Sequence, residues 1–452
     1  MSNAKATPQP RSAVARVRAS IPRNGDRNKL DPEDRAVHDW YRFVLSYPPH
    51  LVRDYLERLG VGPADRVLDP FCGTGTTLVE CRKRGIASVG VEANPMAHFA
   101  SSIKVDWTPD PDGLATHAAG LAARARAVLE RDGVDDDAAL PLWQRDRKRT
   151  ARLRTLPDEV ADLLLTNSIS PLPLHKVLVL LDLIRSDADG RFAQHELLAL
   201  AKILVYSASN LSFGPEVGVG SIKEDARVVG PWLDAVHQMV EDLREFGGQA
   251  STPAQVHLAD ARDIVRVLEP CSVNAVITSP PYPNEKDYTR TTRLESVLLG
   301  FIRDKAGLRA LKGGLVRSNT RGVYKDDDDD LYVAAHPEIQ RIAAAIEARR
   351  IELGKTSGFE RMYARVTRLY FGGMARHLAD LRPVLRPGAR LAYVVGDQAS
   401  YLRVMIRTGQ LLADIAQSLG YEVVGIDLFR TRLATATKEQ LREEVVVLRW
   451  HG

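Results

Sequence analysis

Two short segments of the chain carry groups that could act on a flat ring bearing an amine. The segment 278–282 reads Thr-Ser-Pro-Pro-Tyr and follows an apolar, strand-like stretch over 274–277. Ser279 provides a hydroxyl oxygen, and Pro280 provides a backbone carbonyl within a conformationally restricted turn. Tyr282 provides an aromatic face on which such a ring could stack. We therefore expect this turn to accept hydrogen bonds from the amine while the ring lies against the tyrosine.

The second segment, 69–77, contains glycines at positions suited to binding a nucleotide, and it reads Asp-Pro-Phe-Cys-Gly-Thr-Gly-Thr-Thr. It lies between a predicted buried strand over 66–69 and a predicted helix over 76–84. Gly73 and Gly75 let the backbone approach a ligand closely, and the helix offers free N–H groups. The loop lacks the Gly-Lys-Ser/Thr sequence that binds phosphates in NTPases. It therefore predicts a nucleotide-like ligand in a protein of another class.

Two acidic residues at predicted strand ends narrow the kind of ligand. Glu92 ends the second predicted strand, where a carboxylate can accept hydrogen bonds from both hydroxyls of a ribose. Asp260 ends the third predicted strand and could hold the amine of an adenine. Either residue alone could equally cap a helix. As a set in this order, they predict a cofactor that contains a nucleoside.

The order of these segments resembles that of the S-adenosylmethionine (SAM)-dependent amino-methyltransferases of DNA. The Ser-Pro-Pro-Tyr turn is similar to the branch that methylates the exocyclic N4 of cytosine, and the sequence Tyr-Pro-Pro-His at 47–50 resembles the motif covering the methionine part of SAM. The resemblance implies SAM as cofactor and a flipped-out target base, with no metal and no covalent intermediate. The residues implied to bind SAM are Tyr47, Asp69, Phe71, Gly73, Gly75, Thr76, Thr77, Glu92 and Asp260. The residues implied to be catalytic are Ser279, Pro280, Pro281 and Tyr282.

Three other functions fit parts of the same pattern. Methylation of adenine N6 uses the same chemistry, although an Asp or Asn before the two prolines is more usual there. An RNA guanine-N2 methyltransferase shares the glycine segment, but an Asp-Pro-Pro-Tyr turn and an added RNA-binding domain would be expected. A non-catalytic DNA-binding module could keep the same fold, but the intact turn over 279–282 argues against it.

The elements that must position these residues predict an α/β protein. Apolar stretches at seven places are interleaved with helical patterns, which is typical of a doubly wound sheet. The predicted strands are 66–69, 86–92, 255–258, 274–277, 390–395, 421–424 and 444–450. We expect a Rossmann-like SAM methyltransferase fold: a seven-stranded, mostly parallel sheet with helices on both faces and a large, mostly helical insertion.

The pattern divides the chain into four parts. Residues 1–35 predict a basic, flexible arm, and 36–106 the first part of a SAM-binding domain. Residues 107–250 predict a helical insertion without a clear strand series, which is a candidate for target recognition. Residues 251–452 predict the second part of the SAM-binding domain, with an inserted helical and loop region near 300–370 that could also contact the target. Within that region, we expect 312–325 to be a loop that closes over the substrate and the five aspartates at 326–330 to be solvated.

The composition is that of a soluble globular protein with reduced cysteines. The 452 residues are 44% hydrophobic and 27% charged, which is ordinary for such proteins. Three cysteines without Cys-x-x-Cys spacing argue against disulfides and against a zinc site. No apolar run reaches the length of a membrane span, and no apolar signal core begins the chain. We expect a cytoplasmic protein that holds no metal and does not enter a membrane.

Clusters of basic residues predict a polyanionic partner. The formal net charge is only +4, but residues 1–30 contain seven Lys or Arg and one Asp. Double-stranded DNA is the partner that the resemblance implies, and a separately encoded restriction endonuclease is the further partner it suggests. The residues expected to contact DNA are Arg145, Arg147, Lys148, Arg149, Arg290 and Arg293.

Overall fold

A seven-stranded, mostly parallel sheet is the centre of the computed structural model. The model describes residues 30–42, 46–136, 152–213, 217–284, 286–433 and 440–452. Its strands are β1 (Arg66–Asp69), β2 (Ala87–Glu92), β3 (Leu211–Phe213), β4 (Val217–Val219), β5 (Ala254–Leu258), β6 (Val273–Thr278), β7 (Leu385–Gly396), β8 (Glu422–Leu433) and β9 (Gln440–Arg449). The order across the sheet is β5-β2-β1-β6-β7-β9-β8, and only β9 pairs antiparallel with its neighbours. The predicted α/β fold is confirmed.

Helices connect these strands and cover the sheet. They are α1 (Pro49–Arg58), α2 (Thr76–Lys83), α3 (Pro95–Lys104), α4 (Pro111–Asp132), α5 (Asp158–Ala161), α6 (Pro171–Ser186), α7 (Ala193–Ile203), α8 (Val229–Phe246), α9 (Tyr288–Thr291), α10 (Arg293–Leu298), α11 (Lys305–Gly313), α12 (Pro337–Glu352), α13 (Tyr363–Leu381) and α14 (Thr408–Ser418). Within the described ranges, no helix is both long and apolar enough to cross a lipid bilayer.

The central strands are apolar because helices cover both faces of the sheet. In β1, Val67 packs in a cluster with Leu51 of α1. The next residue, Leu68, packs in a different cluster with Leu378 of α13 and Leu411 of α14. Successive side chains of a strand point to opposite faces, so a continuous run of buried residues requires cover on both sides.

The described helices of the segment 107–250 pack directly against the sheet helices. Its helices α4, α6, α7 and α8 contact one another. Buried residues such as Leu121 and Trp232 share one hydrophobic cluster with Leu78 of α2 and Met96 of α3. The segment also contains the β3–β4 hairpin, which was not predicted because three-residue strands are too short to reveal an alternating pattern.

The aspartate run at 326–330 is partly internal, so the expectation of a solvated loop was wrong for Asp329. This side chain is buried, and its carboxylate accepts hydrogen bonds from Arg262 (2.5 Å) and Arg376 (3.4 Å). A buried carboxylate is tolerated when it is paired in this way. The backbone of Asp329 also lies directly over Gly372 of α13, where a side chain would not fit.

Gly372→Ala should destabilise the protein, because a methyl group there would collide with the carbonyl oxygen of Asp329. Overpacking of this kind costs about 1–3 kcal/mol, so the midpoint of urea unfolding should fall. Gly120→Ala is the matched control, since Gly120 is also helical but has no atom within 4 Å of the position its Cβ would take. That change should be neutral or stabilise by up to about 1 kcal/mol. Equal unfolding curves for the two variants would contradict the close approach of Asp329 to α13.

Candidate active site

A cavity of about 540 Å³ opens at the edge of the sheet where β1, β2, β5, β6 and β7 end. Residues within two positions of the end of each of these strands contribute to its lining. Open α/β sheets bind ligands outside the carboxyl ends of their strands. The cavity is therefore the candidate active site.

The structure brings most of the predicted site residues together in this cavity. Those that line it are Tyr47, Phe71, Gly73, Thr76, Glu92, Asp260, Ser279, Pro280, Pro281 and Tyr282. Three others contact lining residues without lining it themselves: Asp69, Gly75 and Thr77. Arg290 and Arg293 are also outside the lining. Four of the expected DNA contacts lie outside the described residues: Arg145, Arg147, Lys148 and Arg149.

The loop between β1 and α2 requires glycine at two positions. Gly73 and Gly75 have φ angles of +50° and +83°, which residues with side chains rarely adopt. A Cβ at Gly75 would also lie only 3.1 Å from the Cβ of Ser101 in α3. These two constraints explain why glycine stands at both positions, just before the first turn of α2.

Glu92 lies at the end of β2 with its carboxylate between two backbone amides. It accepts hydrogen bonds from the N–H groups of Gly73 and Asn94, each at 2.8 Å. Burial raises the pKa of Glu92 to about 7, although these two hydrogen bonds act in the opposite direction. The ionised form of this carboxylate is the one that ribose hydroxyls would stabilise.

A buried carboxylate joins the predicted cofactor loop to the predicted catalytic turn. Asp69 accepts hydrogen bonds from the hydroxyls of Tyr47 (2.8 Å) and Thr278 (2.6 Å), and from the N–H of Phe71 (3.2 Å). The hydroxyl of Tyr47 also contacts that of Thr77 at the start of α2. Asp69 thus acts beneath the cavity, where it fixes three segments relative to one another.

Asp260 lines the cavity, but an arginine already engages its carboxylate. The guanidinium of Arg262 donates to both oxygens of Asp260, at 3.0 Å and 2.6 Å, and also to Asp329. An adenine amine at this place would have to share Asp260 with Arg262. The sequence pattern identified the position of Asp260 but gave no sign of this partner.

The ring of Phe71, which lines the cavity, packs against a buried histidine. The ring of Phe71 meets that of His377 edge-on, with 4.9 Å between the ring centroids. The two ring nitrogens of His377 lie 2.8 Å from the carbonyl oxygen of Ala261 and 2.7 Å from the hydroxyl of Tyr393. Burial lowers the pKa of His377 to about 4, so this support is neutral at physiological pH.

The predicted catalytic turn follows β6 and packs against β7. The hydroxyl of Ser279 donates to the carbonyl oxygen of Val394 (3.2 Å), which leaves the Ser279 oxygen able to accept a hydrogen bond. The ring of Tyr282 lies on Gly396, where a Cβ would approach it to 2.9 Å. Burial raises the pKa of Tyr282, so the phenol stays protonated. The turn therefore offers an oxygen acceptor beside a fixed aromatic ring.

A roof over the cavity comes from the segment 312–325, where a closing loop was expected. Lys312 pairs with Asp287 at 3.0 Å, and the side-chain amide of Asn319 donates to the carbonyl of Lys286 at 3.1 Å. Asp287 also accepts hydrogen bonds from the N–H and hydroxyl of the residue two positions later and so caps α9. These contacts connect the roof to the segment that follows the catalytic turn.

The two arginines expected to contact DNA next to the turn have different surroundings. Arg293 donates to the carbonyl of Thr289 (3.2 Å) and to that of Leu163 (3.3 Å), so it ties α10 to the inserted segment. Arg290 is half-buried, and its Nε has no hydrogen-bond partner among the described residues. A role in DNA binding is still a prediction for both side chains.

Sequence reasoning missed the residues that line the cavity beyond the catalytic turn: Gln398, Phe429, Arg430 and Glu443. Gln398 follows the end of β7 by two positions, as Asp260 follows that of β5. The position of Gln398 after a predicted strand was the available signal. Phe429, Arg430 and Glu443 lie within β8 and β9, where no such signal exists.

Comparison with known proteins gives matches to methyltransferases. Residues 21–101 match the N6_N4_Mtase family model, described as DNA methylase. The chain is 22% identical to the Type II methyltransferase M.BsoBI of Geobacillus stearothermophilus, over 92% of this chain and 85% of the relative. It is 23% identical to M.AvaI of Nostoc sp., over 93% and 87%. The rRNA methyltransferase aviRa of Streptomyces viridochromogenes matches with a TM-score of 0.33 and 11% identity, over 91% of each chain; the fold assignment rests on the strand order instead.

SAM affinity should depend on the ionisation of Glu92. Burial raises its pKa to about 7 in the free protein, and the ionised carboxylate accepts hydrogen bonds from both ribose hydroxyls more strongly than the protonated acid does. Affinity should therefore rise as the pH increases through about 7 and level off above it, with a change of up to about tenfold per pH unit below that point. Calorimetric titration with SAM between pH 6 and pH 8 measures this.

Glu92→Gln is the matched variant, because it keeps the shape of the side chain but does not titrate. We expect this variant to bind SAM more weakly than wild type. Its affinity should change with pH only through the ionisation of the amino group of SAM. The difference between the two proteins isolates the contribution of Glu92. Identical pH profiles for the two proteins would remove Glu92 from the cofactor site.

Proposed function

We propose that this chain, which is similar to DNA methylases and to Type II methyltransferases, transfers a methyl group from SAM to the exocyclic N4 of a flipped-out cytosine. The observation that supports this most directly is the position of the turn over 279–282. It follows β6, which lies between β1 and β7 in the sheet. The residues proposed to bind SAM follow β1, β2 and β5 on one side, and the cavity continues on the other side past the end of β7.

The residues of the turn match the chemistry of an exocyclic amine. The lone pair of such an amine is delocalised into its ring, so the nitrogen is a poor nucleophile. The oxygens of Ser279 and Pro280 can accept hydrogen bonds from the two amine hydrogens, which orients the nitrogen and draws electron density toward it. When bound, SAM supplies an electrophilic methyl group. No residue has to form a covalent bond with the ring.

The ring itself would be held by Tyr282. Its phenol ring is already held against Gly396. Stacking of a base on this ring therefore costs the protein little conformational entropy. The catalytic turn lies within a cavity that is also lined by the roof and by the strand ends, whereas a base inside a duplex is covered by its stacked neighbours. The base must therefore leave the stack, as it does in other enzymes that modify nucleobases.

Duplex DNA is the proposed macromolecular partner. The family model is described as DNA methylase, and the two long relatives are named Type II methyltransferases. Salt dependence of DNA binding would test this, since neutralised phosphates release counterions. A separately encoded restriction endonuclease is proposed as a further partner on the family resemblance alone.

The identity of the product tests the proposal. Plasmid DNA incubated with the protein and SAM is digested to nucleosides, which are compared with standards by mass spectrometry. We expect N4-methylcytosine. N6-methyladenine as the sole product would contradict the cytosine assignment, and methylation of RNA alone would contradict the choice of DNA.

Variants of the turn should separate base holding from cofactor binding. Tyr282→Ala should lower kcat/KM for DNA. The loss should correspond to about 1–3 kcal/mol of transition-state binding, because one aromatic platform typically contributes that much. Tyr282→Phe is the matched control: it keeps the ring and loses only the hydroxyl that interacts with Ser279, so it should retain much more activity than Tyr282→Ala. Ser279→Ala should lower kcat because an acceptor of the amine hydrogens is lost. SAM affinity, measured by calorimetry, should be nearly unchanged in all three variants; a parallel loss of SAM affinity would place the turn in the cofactor site.

A further inference from the structure

The cavity has a second half beyond the catalytic turn. It is lined by residues at the end of β7 and within β8 and β9, and Phe429, Arg430 and Glu443 are among them. Arg430 is already engaged, since its guanidinium forms two hydrogen bonds with the carboxylate of Glu443, at 2.5 Å and 2.9 Å. Because the proposed SAM residues lie on the opposite side of β6, this half is the one that a target ring would enter.

One side chain in this half has an unmet hydrogen-bonding requirement. Gln398 is only 3% exposed and lines the cavity. Its Nε2 has no hydrogen-bond partner among the described residues. An unsatisfied buried amide donor costs free energy comparable to a lost hydrogen bond, so such groups are rare unless a ligand completes them.

The backbone of Gln398 is firmly placed beside the catalytic turn. It exchanges hydrogen bonds with Ile406, at 3.0 Å and 2.7 Å. Two residues earlier, Gly396 supports the ring of Tyr282. Strands β6 and β7 run parallel and in register here, with Thr278 opposite Tyr393. The backbone of Gln398 is thus held at the same edge as the groups proposed to hold the amine, and its side chain lines the cavity there.

We propose that Gln398 binds the target base, by donating a hydrogen bond from Nε2 to the ring nitrogen adjacent to the exocyclic amine. In cytosine this atom is N3. The inference rests on the proposed function and adds a contact that neither the turn nor the cofactor loop supplies. Flipped bases are commonly read through hydrogen bonds to the edge that is paired in the duplex.

The chemistry of the bases makes this contact selective. On the edge that is paired in the duplex, cytosine and adenine carry an acceptor nitrogen beside the amine, whereas thymine and guanine carry an N–H there. A donor at this place therefore favours cytosine and adenine over thymine, and over guanine presented by the same edge. A neutral amide also suits the reaction, because it is too weak an acid to protonate N3. Protonation there would draw electron density away from the amine nitrogen that must attack the methyl group.

A double-mutant cycle between protein and DNA tests the contact. The methylated site is first mapped on plasmid DNA treated with the wild-type protein, and duplexes are made with cytosine or 3-deazacytosine at the target position. 3-Deazacytosine replaces N3 with a C–H group. Duplex affinity is then measured with S-adenosylhomocysteine present, for wild type, Gln398→Leu and Gln398→Met.

Removing either partner should weaken binding about fivefold to fiftyfold, and removing both should cost no more than removing one. Effects of the analogue on pairing or reactivity are the same for each protein and cancel in the cycle. Gln410→Leu is the matched control, because Gln410 is exposed on α14 and bonds only Asp414 in the described structure. It should leave every affinity unchanged.

Additive losses in the cycle would overturn the contact, and so would equal affinity of wild type and both Gln398 variants for the cytosine duplex. SAM affinity within twofold of wild type shows that the variants are folded. Gln398→Glu adds a second readout: the ionised carboxylate would repel N3, so its affinity relative to wild type should recover as the pH falls. If the wild-type protein modifies no base at all, the proposed function fails instead, and the cycle is not reached.

Discussion

The arrangement of the cavity depends on one buried carboxylate, that of Asp69. It ends β1 beneath the cofactor loop and accepts hydrogen bonds from Tyr47, Thr278 and the backbone of Phe71. Burial raises the pKa of Asp69, and these donors act against that shift. A buried carboxyl group, whether ionised or protonated, is tolerated only when its oxygens form hydrogen bonds. The same contacts that stabilise it therefore fix the segment before α1, the loop after β1 and the turn after β6 relative to one another.

Much of this arrangement could be predicted from the sequence because it depends on strand ends. Alternating strands and helices predict a parallel sheet, and a parallel sheet brings its carboxyl ends to one edge. Glu92 and Ser279 could be placed for that reason, although they are far apart in the chain. Gly73 and Gly75 could be placed because positive φ angles leave few alternatives to glycine.

The remaining features depend on tertiary pairing, which no local pattern encodes. The partner of Asp260 is Arg262, and Arg262 is fixed in turn by Asp329, about seventy residues later. An aspartate run has the composition of a solvated loop, so its buried member could not be recognised. Gln398 was missed for a related reason: an isolated glutamine is usually exposed, and only the structure reveals that its amide lacks a partner.

We propose that cofactor and target ring occupy opposite halves of one cavity and meet at Ser279. A crystal structure of the protein with S-adenosylhomocysteine and a duplex carrying its methylation site tests this most directly. We expect the nucleoside of the cofactor against Phe71 and Glu92, the extruded ring on Tyr282, and the amine within hydrogen-bonding distance of Ser279 and Pro280. An extruded base on the Glu92 side, or a base that stays stacked in the duplex, would contradict it.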